Sequence, residues 1–323
     1  MNSKAFQFTL ALCAALSAGA ACAQSWPQKP VRVLIGFAPG GTPDIGMRII
    51  APKLTEGLGQ PIIVENRPGA GGMLAMEYVA KAAPDGYTLA IGTVGTLMLA
   101  KALIPTAAFD PVTSFSPIGA FAKITFIVAT STSLPATNLK EFIALAKSQP
   151  GKLNNGTSTP GSPPHILSEM FKLQAGIDMV GITYKGSAES VTRFLGGDVQ
   201  MLVDAYPSIG PLITAGKARA LLVTSTTRFK KLPDVPTAAE AGLPDYSVES
   251  WLGLVGPAGT PDAAVRRINA ELQKTMAPKE MADAMEKIGL DVFTNTPEQF
   301  AALIKSDWPK WNNAVRRAGI KAQ

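Results

Sequence analysis

A run of apolar residues meets a glycine turn in Val31-Arg32-Val33-Leu34-Ile35-Gly36-Phe37-Ala38-Pro39-Gly40-Gly41-Thr42-Pro43-Asp44. Val31–Phe37 predicts a buried strand, because β-branched and apolar residues follow one another without a helical period. Ala38–Gly41 predicts a tight turn, and the apolar spacing that follows predicts a helix from about Pro43 to Leu58. A strand, a turn and a helix in this order form the basic unit of an α/β fold.

The alternation continues downstream of this unit. Strands are predicted at Pro61–Glu65 and Thr88–Gly92, and helices at Met73–Lys81 and Leu97–Leu103. Short alternating periods of this kind favour a mostly parallel sheet covered by helices. The first half of the chain is therefore expected to form one α/β layer structure that is complete by about residue 110.

The pattern restarts at Phe121, which predicts a second α/β domain. Its predicted strands and helices are Phe126–Ala129, Leu139–Ser148, Lys152–Asn155, Pro163–Leu173, Met179–Tyr184, Ala188–Leu195, Val199–Asp204 and Ala218–Thr224. Arg228–Tyr246 predicts an irregular connector with one short helix at Thr237–Ala241. A strand at Ser250–Val255 and two helices that start at Thr260-Pro261 and Thr296-Pro297 follow it. We place the crossings between domains near residues 125 and 246, so that domain 1 comprises 24–125 and 247–323 and domain 2 comprises 126–246.

Composition excludes several kinds of site. The 323 residues are 46% hydrophobic and 17% charged, which is typical of a folded globular protein. The chain has one histidine, His165, and two cysteines, Cys13 and Cys22, so multi-histidine metal centres, cysteine-rich zinc sites and iron–sulfur clusters are excluded. We expect no metal and no cofactor. The basic residues are scattered and the formal net charge is only +6, so no nucleic-acid partner is expected.

The N-terminus has the layout of a secretory signal peptide. Lys4 is followed by an apolar, charge-free stretch up to Ala18, and small residues end in Ala21-Cys22-Ala23. We predict a signal peptide at residues 1–23, cleavage after Ala23 and a periplasmic protein without cysteine. Lipid attachment at Cys22 is the alternative, which Gly19 disfavours.

Two polar turns are candidates for binding an anion. In Gly40-Gly41-Thr42-Pro43-Asp44, Thr42 is the predicted N-cap and Pro43 the first helical residue, so several peptide N–H groups remain unpaired at a helix N-terminus. Neither a P-loop nor a dinucleotide fingerprint is present. A glycine turn that serves only the fold is the alternative.

The second turn, Asn155–His165, follows a predicted strand and opens a helix with Ser162 as N-cap. Its hydroxyls at Thr157, Ser158, Thr159 and Ser162 could donate to a carboxylate, or they could instead satisfy their own loop. Two such turns from opposite domains would form an anion-binding cleft.

Two further residues stand out. His165 permits a secreted serine hydrolase as an alternative function, but no G-x-S-x-G sequence is present, and a hydrogen bond from this histidine to its own loop is the favoured interpretation. Asp204 ends an apolar strand, at the edge of the sheet where ligands of α/β proteins bind. Capping of the next helix at Pro207 is the alternative role for this carboxylate.

The chain resembles the Bug receptors, the exported solute-binding proteins of tripartite tricarboxylate transport systems, over nearly its whole mature length. The segments that carry the resemblance are Lys29–Arg32 with Pro39–Gly41 and Asp44, Val64–Gly72 (VENRPGAGG), Ala83–Leu89 (APDGYTL), Tyr184–Gly186 and Leu232–Thr237. The chain departs from the usual family pattern at Ala38 and Pro43, and at Ser187 and Glu189.

The resemblance implies a two-domain periplasmic-binding-protein fold of type II, in which each domain is a sheet flanked by helices and the ligand lies in the interdomain cleft. It implies a monomeric receptor, not an enzyme, that closes on a small carboxylate and presents it to membrane subunits of the transporter or to a sensor kinase. Dicarboxylates, tricarboxylates, amino acids and aromatic acids all remain possible ligands. The ligand-binding residues that it implies are Phe37, Pro39, Gly40, Gly41, Thr42, Asp44, Thr93, Gly95, Thr157, Ser158, Gly161, Ser162, His165, Gly186 and Asp204.

Overall fold

A computed structural model of the chain describes residues 26–317, and its strands form two sheets. The predicted signal peptide lies outside the described residues. The strands are β1 Val31–Ile35, β2 Ile62–Asn66, β3 Thr88–Thr93, β4 Phe115–Ile124, β5 Phe126–Ser131, β6 Asn154–Thr157, β7 Val180–Thr183, β8 Met201–Ala205, β9 Ala218–Val223, β10 Ser250–Pro257 and β11 Leu290–Val292.

Helices cover both sheets. They are α1 Thr42–Leu58, α2 Met73–Ala80, α3 Ala100–Leu103, α4 Leu139–Ser148, α5 Pro163–Ala175, α6 Ser187–Leu195, α7 Tyr206–Thr214, α8 Asp262–Met276, α9 Lys279–Lys287 and α10 Pro297–Arg317. Short 3-10 turns lie at Ala70–Gly72 and Pro244–Tyr246, and a π-helical segment, Val94–Leu99, runs into α3. No helix of the described part of the chain is long and apolar enough to cross a membrane.

Both sheets are mixed, whereas the sequence predicted mostly parallel ones. The first has the order β11-β4-β10-β3-β1-β2, with β1 parallel to β2 and β3 and with β4, β10 and β11 joined by antiparallel pairings. The second has the order β7-β6-β8-β5-β9, in which β5 runs antiparallel to both of its neighbours. The difference arises because apolar periodicity indicates that a strand exists but carries no information on its direction.

The chain passes twice between the two sheets. Ile124 ends β4 in the first sheet and Phe126 starts β5 in the second, so a single residue, Thr125, links them. The return runs from Val223, at the end of β9, to Ser250, at the start of β10. The two connections lie against the second sheet: Tyr206 donates its N–H to the carbonyl of Thr125 at 3.1 Å, and Val248 donates to Thr224 at 2.7 Å.

Two strands, β4 and β11, were not predicted, and the composition of β4 explains why it was missed. β4 contains Pro117 and Gly119, residues that weaken a strand pattern, and its pairing with β10 carries two register shifts. The helix α9 was likewise not predicted.

Four local predictions were wrong. The segment at Thr237–Ala241 is a turn, because its start pairs with Val223 at the edge of the second sheet. The helix predicted from Leu97 begins at Val94 in a π-helical form. Gly41 rather than Thr42 is the N-cap of α1. Pro261 rather than Thr260 precedes α8, because the hydroxyl of Thr260 donates to the carbonyl of Pro257 at 2.7 Å.

The largest hydrophobic cluster joins the two sheets. It contains Val33 and Leu254 from the first sheet and Val128 and Met201 from the second, all at most 1% exposed. A smaller cluster around Ile127 covers the other face of the second sheet under α6 and α7. Burial on this scale holds the ends of β1, β6 and β8, and so the loops that follow them, in fixed positions.

Gly36, directly after β1, lies against the backbone of Gly72. A Cβ at position 36 would lie 2.6 Å from the Cα and 2.8 Å from the carbonyl oxygen of Gly72, and a backbone neighbour cannot rotate away. We expect Gly36→Ala to lower the free energy of unfolding, measured by urea denaturation, by about 1–3 kcal/mol. Gly196→Ala is the control: its Cβ would have its nearest neighbour at 3.5 Å, so we expect a change within about 0.5 kcal/mol. Equal stability of the two variants would contradict the close approach.

Candidate anion-binding cleft

A cavity of about 340 Å³, the inner chamber, lies where the loops of the two sheets meet. The loops after β1, β3, β6 and β8 surround it, together with the start of α6 and the two crossings between sheets. Its lining residues are Phe37, Ala38, Pro39, Gly40, Gly41, Thr42, Pro43, Thr93, Ile124, Phe126, Ser158, Thr159, Ser162, Pro163, Pro164, Lys185, Gly186, Ser187, Ala188, Glu189, Asp204, Ala205 and Ser250.

A second cavity of about 570 Å³, the outer chamber, adjoins the first. The glycine-rich loop Pro68–Gly72 lines one side of it, and Thr183–Lys185 with Pro160 lines the other. The lining residues that the two chambers share are Phe37, Ala38, Thr159, Lys185 and Glu189. The two chambers therefore form one continuous cleft between the sheets.

The N-termini of four helices lie on the wall of the inner chamber. The N-cap residues are Gly41 for α1, Ser162 for α5, Gly186 for α6 and Ala205 for α7, and in none of the four does a side chain cap the helix. Each end carries a partial positive charge from the helix dipole. Such ends bind anions, and here four of them surround a single cavity.

The four ends differ in their supply of N–H groups. Prolines at the first or second helical position remove donors from α1, α5 and α7, whereas the first turn of α6 contains none. Ser187, Ala188 and Glu189, the first three residues of α6, all line the chamber. The α6 end is therefore the richest source of peptide N–H donors.

Asp44 stabilises the first glycine turn through hydrogen bonds. The carboxylate of Asp44 accepts from the Gly40 N–H at 2.9 Å and from Arg48 Nε at 2.9 Å, and Asn66 donates to it at 3.0 Å. Asn66 also donates to the carbonyl of Phe37 at 3.1 Å. Burial disfavours the charged form, but these hydrogen bonds outweigh burial and lower the pKa of Asp44.

The hydroxyls of the second turn form hydrogen bonds within that turn and to the segment that precedes α6. Ser158 and Ser162 share a hydrogen bond of 2.8 Å between their hydroxyl oxygens, both buried, and Thr159 donates to the carbonyl of Lys185 at 3.0 Å. Both serines line the chamber, and each hydroxyl has hydrogen-bonding capacity beyond the one bond that the pair shares.

His165 faces its own loop, as the sequence favoured. Its Nδ1 accepts from the Gly161 N–H at 3.1 Å, and burial lowers its pKa. The ring is 7% exposed and is absent from the chamber wall. Because Nδ1 accepts this hydrogen bond, it carries no proton, and the imidazole positions the turn.

Asp204 occupies the floor of the inner chamber. It is 3% exposed, its Oδ1 accepts from the Ala205 N–H at 2.7 Å, and the nearby hydroxyls of Ser187 and Ser208 favour the charged form of the carboxylate. Burial outweighs these contributions and raises the pKa of Asp204 to about 6. The carboxyl group is therefore protonated more readily than an exposed aspartate.

Lys185 and Glu189 lie where the chambers meet. The carboxylate of Glu189 accepts from the Lys185 peptide N–H at 3.0 Å. Among the described residues that line either chamber, Lys185 is the only lysine or arginine. The two residues place one positive and one negative side chain at the boundary of the inner chamber.

The structure brings ten of the fifteen predicted site residues to the inner chamber: Phe37, Pro39, Gly40, Gly41, Thr42, Thr93, Ser158, Ser162, Gly186 and Asp204. The other five, Asp44, Gly95, Thr157, Gly161 and His165, do not line this chamber. A Cβ on Gly95 would lie 2.6 Å from Pro163, so Gly95 permits the π-helical segment to touch α5. Thr157 ends β6 and is 1% exposed.

Several lining residues were not predicted. Ile124, Phe126 and Ser250 lie on the strands at the crossings, and no local pattern marks them as facing a cavity. Lys185 lies in the Tyr184–Gly186 segment that the resemblance includes. Treating every residue of that segment as a candidate would have identified it as a lining residue. Within residues 26–317, no cluster of three or more histidine, cysteine, aspartate or glutamate side chains could hold a metal ion.

Asp44→Ala should remove hydrogen bonds that stabilise the first turn. Without the carboxylate, the Gly40 N–H, Arg48 and Asn66 lose a shared acceptor, and we expect the free energy of unfolding to fall by about 1–3 kcal/mol at pH 7. Because the native pKa of Asp44 is lowered, its stabilisation is present above its ordinary pKa and is lost as the pH falls below about 4. The difference in the free energy of unfolding between Asp44→Ala and wild type, measured by urea denaturation, should therefore become smaller at acid pH. Glu56→Gln, at an exposed position, is the control. A difference that stays constant with pH would contradict this role of Asp44.

Comparison with known proteins identifies the family. Residues 47–320 match the tripartite tricarboxylate transporter family receptor. The chain is 31% identical over 300 residues to protein BugT of Bordetella pertussis, covering 93% of this chain and 92% of BugT. The structure of the periplasmic binding protein BugD is similar, with a TM-score of 0.85 and 31% identity over 92% of this chain and 100% of that one. The R. palustris protein Rpa4515 with adipate has a TM-score of 0.86 and 33% identity over 92% and 99%. These matches confirm the predicted family and the α/β fold of the periplasmic binding proteins, and the chain belongs to the receptors of the tripartite tricarboxylate transporter family.

Proposed function

We propose that this protein captures a small carboxylate in the inner chamber and presents it to a membrane partner. The family is one of periplasmic solute-binding receptors. The observation that carries the carboxylate assignment is the convergence of four helix N-termini, none capped by a side chain, on one cavity. Peptide N–H groups and hydroxyls that point into a partly enclosed space favour a compact anion.

The ligand we propose is a dicarboxylate, a tricarboxylate, an amino acid or an aromatic acid. The R. palustris neighbour holds adipate, which supports an acid of this size. The inner chamber, at about 340 Å³, is within the range of small-molecule sites, and the outer chamber adds room for a longer tail. Phe37 and Ala38 line both chambers and offer an apolar path between them.

Capture would require the two sides of the cleft to close toward each other around the ligand. We propose two domains, 24–125 with 247–323 and 126–246, joined by the two crossings. A Cβ on Gly71 would lie 3.2 Å from the carbonyl oxygen of Gly161, so the two sides already touch across the cleft. A ligand that bonds to both sides would stabilise this closed arrangement over an open one.

We propose export through a signal peptide at residues 1–23, a monomer in the periplasm, and delivery to tripartite transporter subunits or to a sensor kinase. We propose binding without catalysis, since His165 is engaged with Gly161 and lies behind the wall of the cleft.

Thermal unfolding against a panel of acids tests the proposal. The mature protein, freed of co-purified ligand by unfolding and refolding, is heated with dicarboxylates, tricarboxylates, amino acids and aromatic acids. A ligand at about 1,000 times its Kd adds about 4 kcal/mol to the folded state and raises Tm by several degrees. A shift with a subset of acids supports the receptor, and no shift with any acid contradicts it.

Gly41→Val should weaken binding of any acid found in this way. A Cβ at position 41 has its nearest neighbour at 3.4 Å, so the backbone tolerates it, and the added bulk of valine stands at a residue that lines the inner chamber. We expect at least about a tenfold rise in Kd by isothermal titration calorimetry, because displaced N–H contacts are not replaced. Gly41→Ala, which shares the loss of glycine at the N-cap, is the matched control and should bind nearly as wild type. Equal affinities of the two variants would remove the first turn from the site.

A further inference from the structure

A buried carboxyl group stands in the chamber proposed to receive an anion. Asp204 is 3% exposed, its carboxylate accepts a hydrogen bond from the Ala205 N–H, and the hydroxyls of Ser187 and Ser208 lie near it. All of these groups are neutral. No cation of residues 26–317 contributes to the pKa of this carboxyl group, which is unusual for a buried aspartate.

The elements around Asp204 bring few other charges to it. On β5, the residue in register with it is Ile127, and α7 and the start of α6 contribute the two serine hydroxyls. The walls formed by the first turn and by α5 place glycine, threonine, serine and proline in the chamber. The charged side chains of the inner chamber other than Asp204 are Lys185 and Glu189, and neither perturbs its pKa.

A ligand carboxylate in this chamber would therefore meet a second carboxylate whose charge no cation offsets. Two negative charges in one desolvated chamber repel strongly, since solvent no longer screens them. A single proton removes the conflict, because a neutral carboxyl group donates an O–H···O⁻ hydrogen bond, one of the short and strong kinds. Pairs of carboxyl groups that share a proton in this way titrate as a unit.

We propose that Asp204 takes up one proton from solvent when the ligand binds and donates it as a hydrogen bond to the ligand's carboxylate. This inference rests on the proposed function and specifies how the site recognises its ligand. Each ligand would be captured together with one proton, so a monocarboxylate is bound as the equivalent of its neutral acid and a dicarboxylate as the equivalent of its monoanion. Asp204 would then be a residue that selects for a carboxylate over a ligand without an acceptor at that position.

The titration of Asp204 in the empty protein supports the inference. Burial raises its pKa to about 6, so near pH 7.5 the carboxyl group is mostly ionised before binding. A second negative charge beside it raises the pKa further. The proton is thus absent from most empty molecules and present in the complex, and binding must take it up from solvent.

The pH dependence of affinity tests this directly. The probes are adipate, benzoate and glutamate, whose carboxyl groups are ionised between about pH 6.5 and pH 8.5. We expect the affinity of wild type for the acid that binds to fall by up to about tenfold per pH unit over this range. Calorimetry in two buffers of different ionisation enthalpy should show about one proton taken up per ligand, a measurement that needs no variant.

Asp204→Asn is the informative variant, since the amide is close in shape and cannot titrate. We expect its affinity to be independent of pH and its proton uptake to be zero. His165→Gln should keep the wild-type slope, because the histidine lies behind the wall with its Nδ1 bonded to Gly161. Asp198→Asn, at an exposed position paired with Arg193, should keep the slope as well.

The outcomes separate this inference from the proposed function. If wild type binds one of the acids without proton uptake, or if the slope survives in Asp204→Asn, the role of Asp204 is wrong and the receptor proposal stands. If wild type binds none of the three acids at any pH and no other acid of the panel, both proposals fail.

Discussion

Peptide N–H groups at helix ends are the feature on which the cleft depends. Four helices from both sides of the cleft start at the inner chamber, and no side chain caps them. An orphan N–H that is removed from water without a partner costs free energy, so such ends must meet water, a loop or a ligand. The two sheets hold the four helix N-termini close together. This fixes the positions of the loops that precede them, after β1, β6 and β8 and before α6.

Three acidic side chains tie the loops at these ends. Asp44 accepts from Gly40, Glu189 accepts from Lys185, and Asp204 accepts from Ala205, each N–H lying close to a helix start. The same residue type then behaves in opposite ways. Hydrogen bonds from Arg48 and its neighbours lower the pKa of Asp44, whereas burial without a cation raises that of Asp204 to about 6. Asp44 therefore stabilises the first turn as a carboxylate, whereas Asp204 binds a proton more readily than Asp44 does.

Local sequence patterns predicted most strands and helices within a few residues, because apolar spacing is a local property. β4 was not predicted because Pro117 and Gly119 interrupt its apolar pattern. Its long pairing with β10 nevertheless stabilises it as a strand. The site was predicted in part for a related reason. Glycine turns and a strand-end aspartate can be read locally, but whether Asp44 or Asp204 faces the cavity depends on partners far along the chain.

The sequence by itself determined the α/β class, the two polar turns and the family, because these depend on spacing and on motifs such as Asn66–Gly72 and Ala83–Thr88. Tertiary structure alone decided the directions of the strands, the placing of Ile124, Phe126 and Ser250 at the floor of the chamber, and the withdrawal of His165 behind its wall. The physical reason is that pairing and burial join residues more than 100 positions apart, and no local pattern records which face of a strand will meet a cavity.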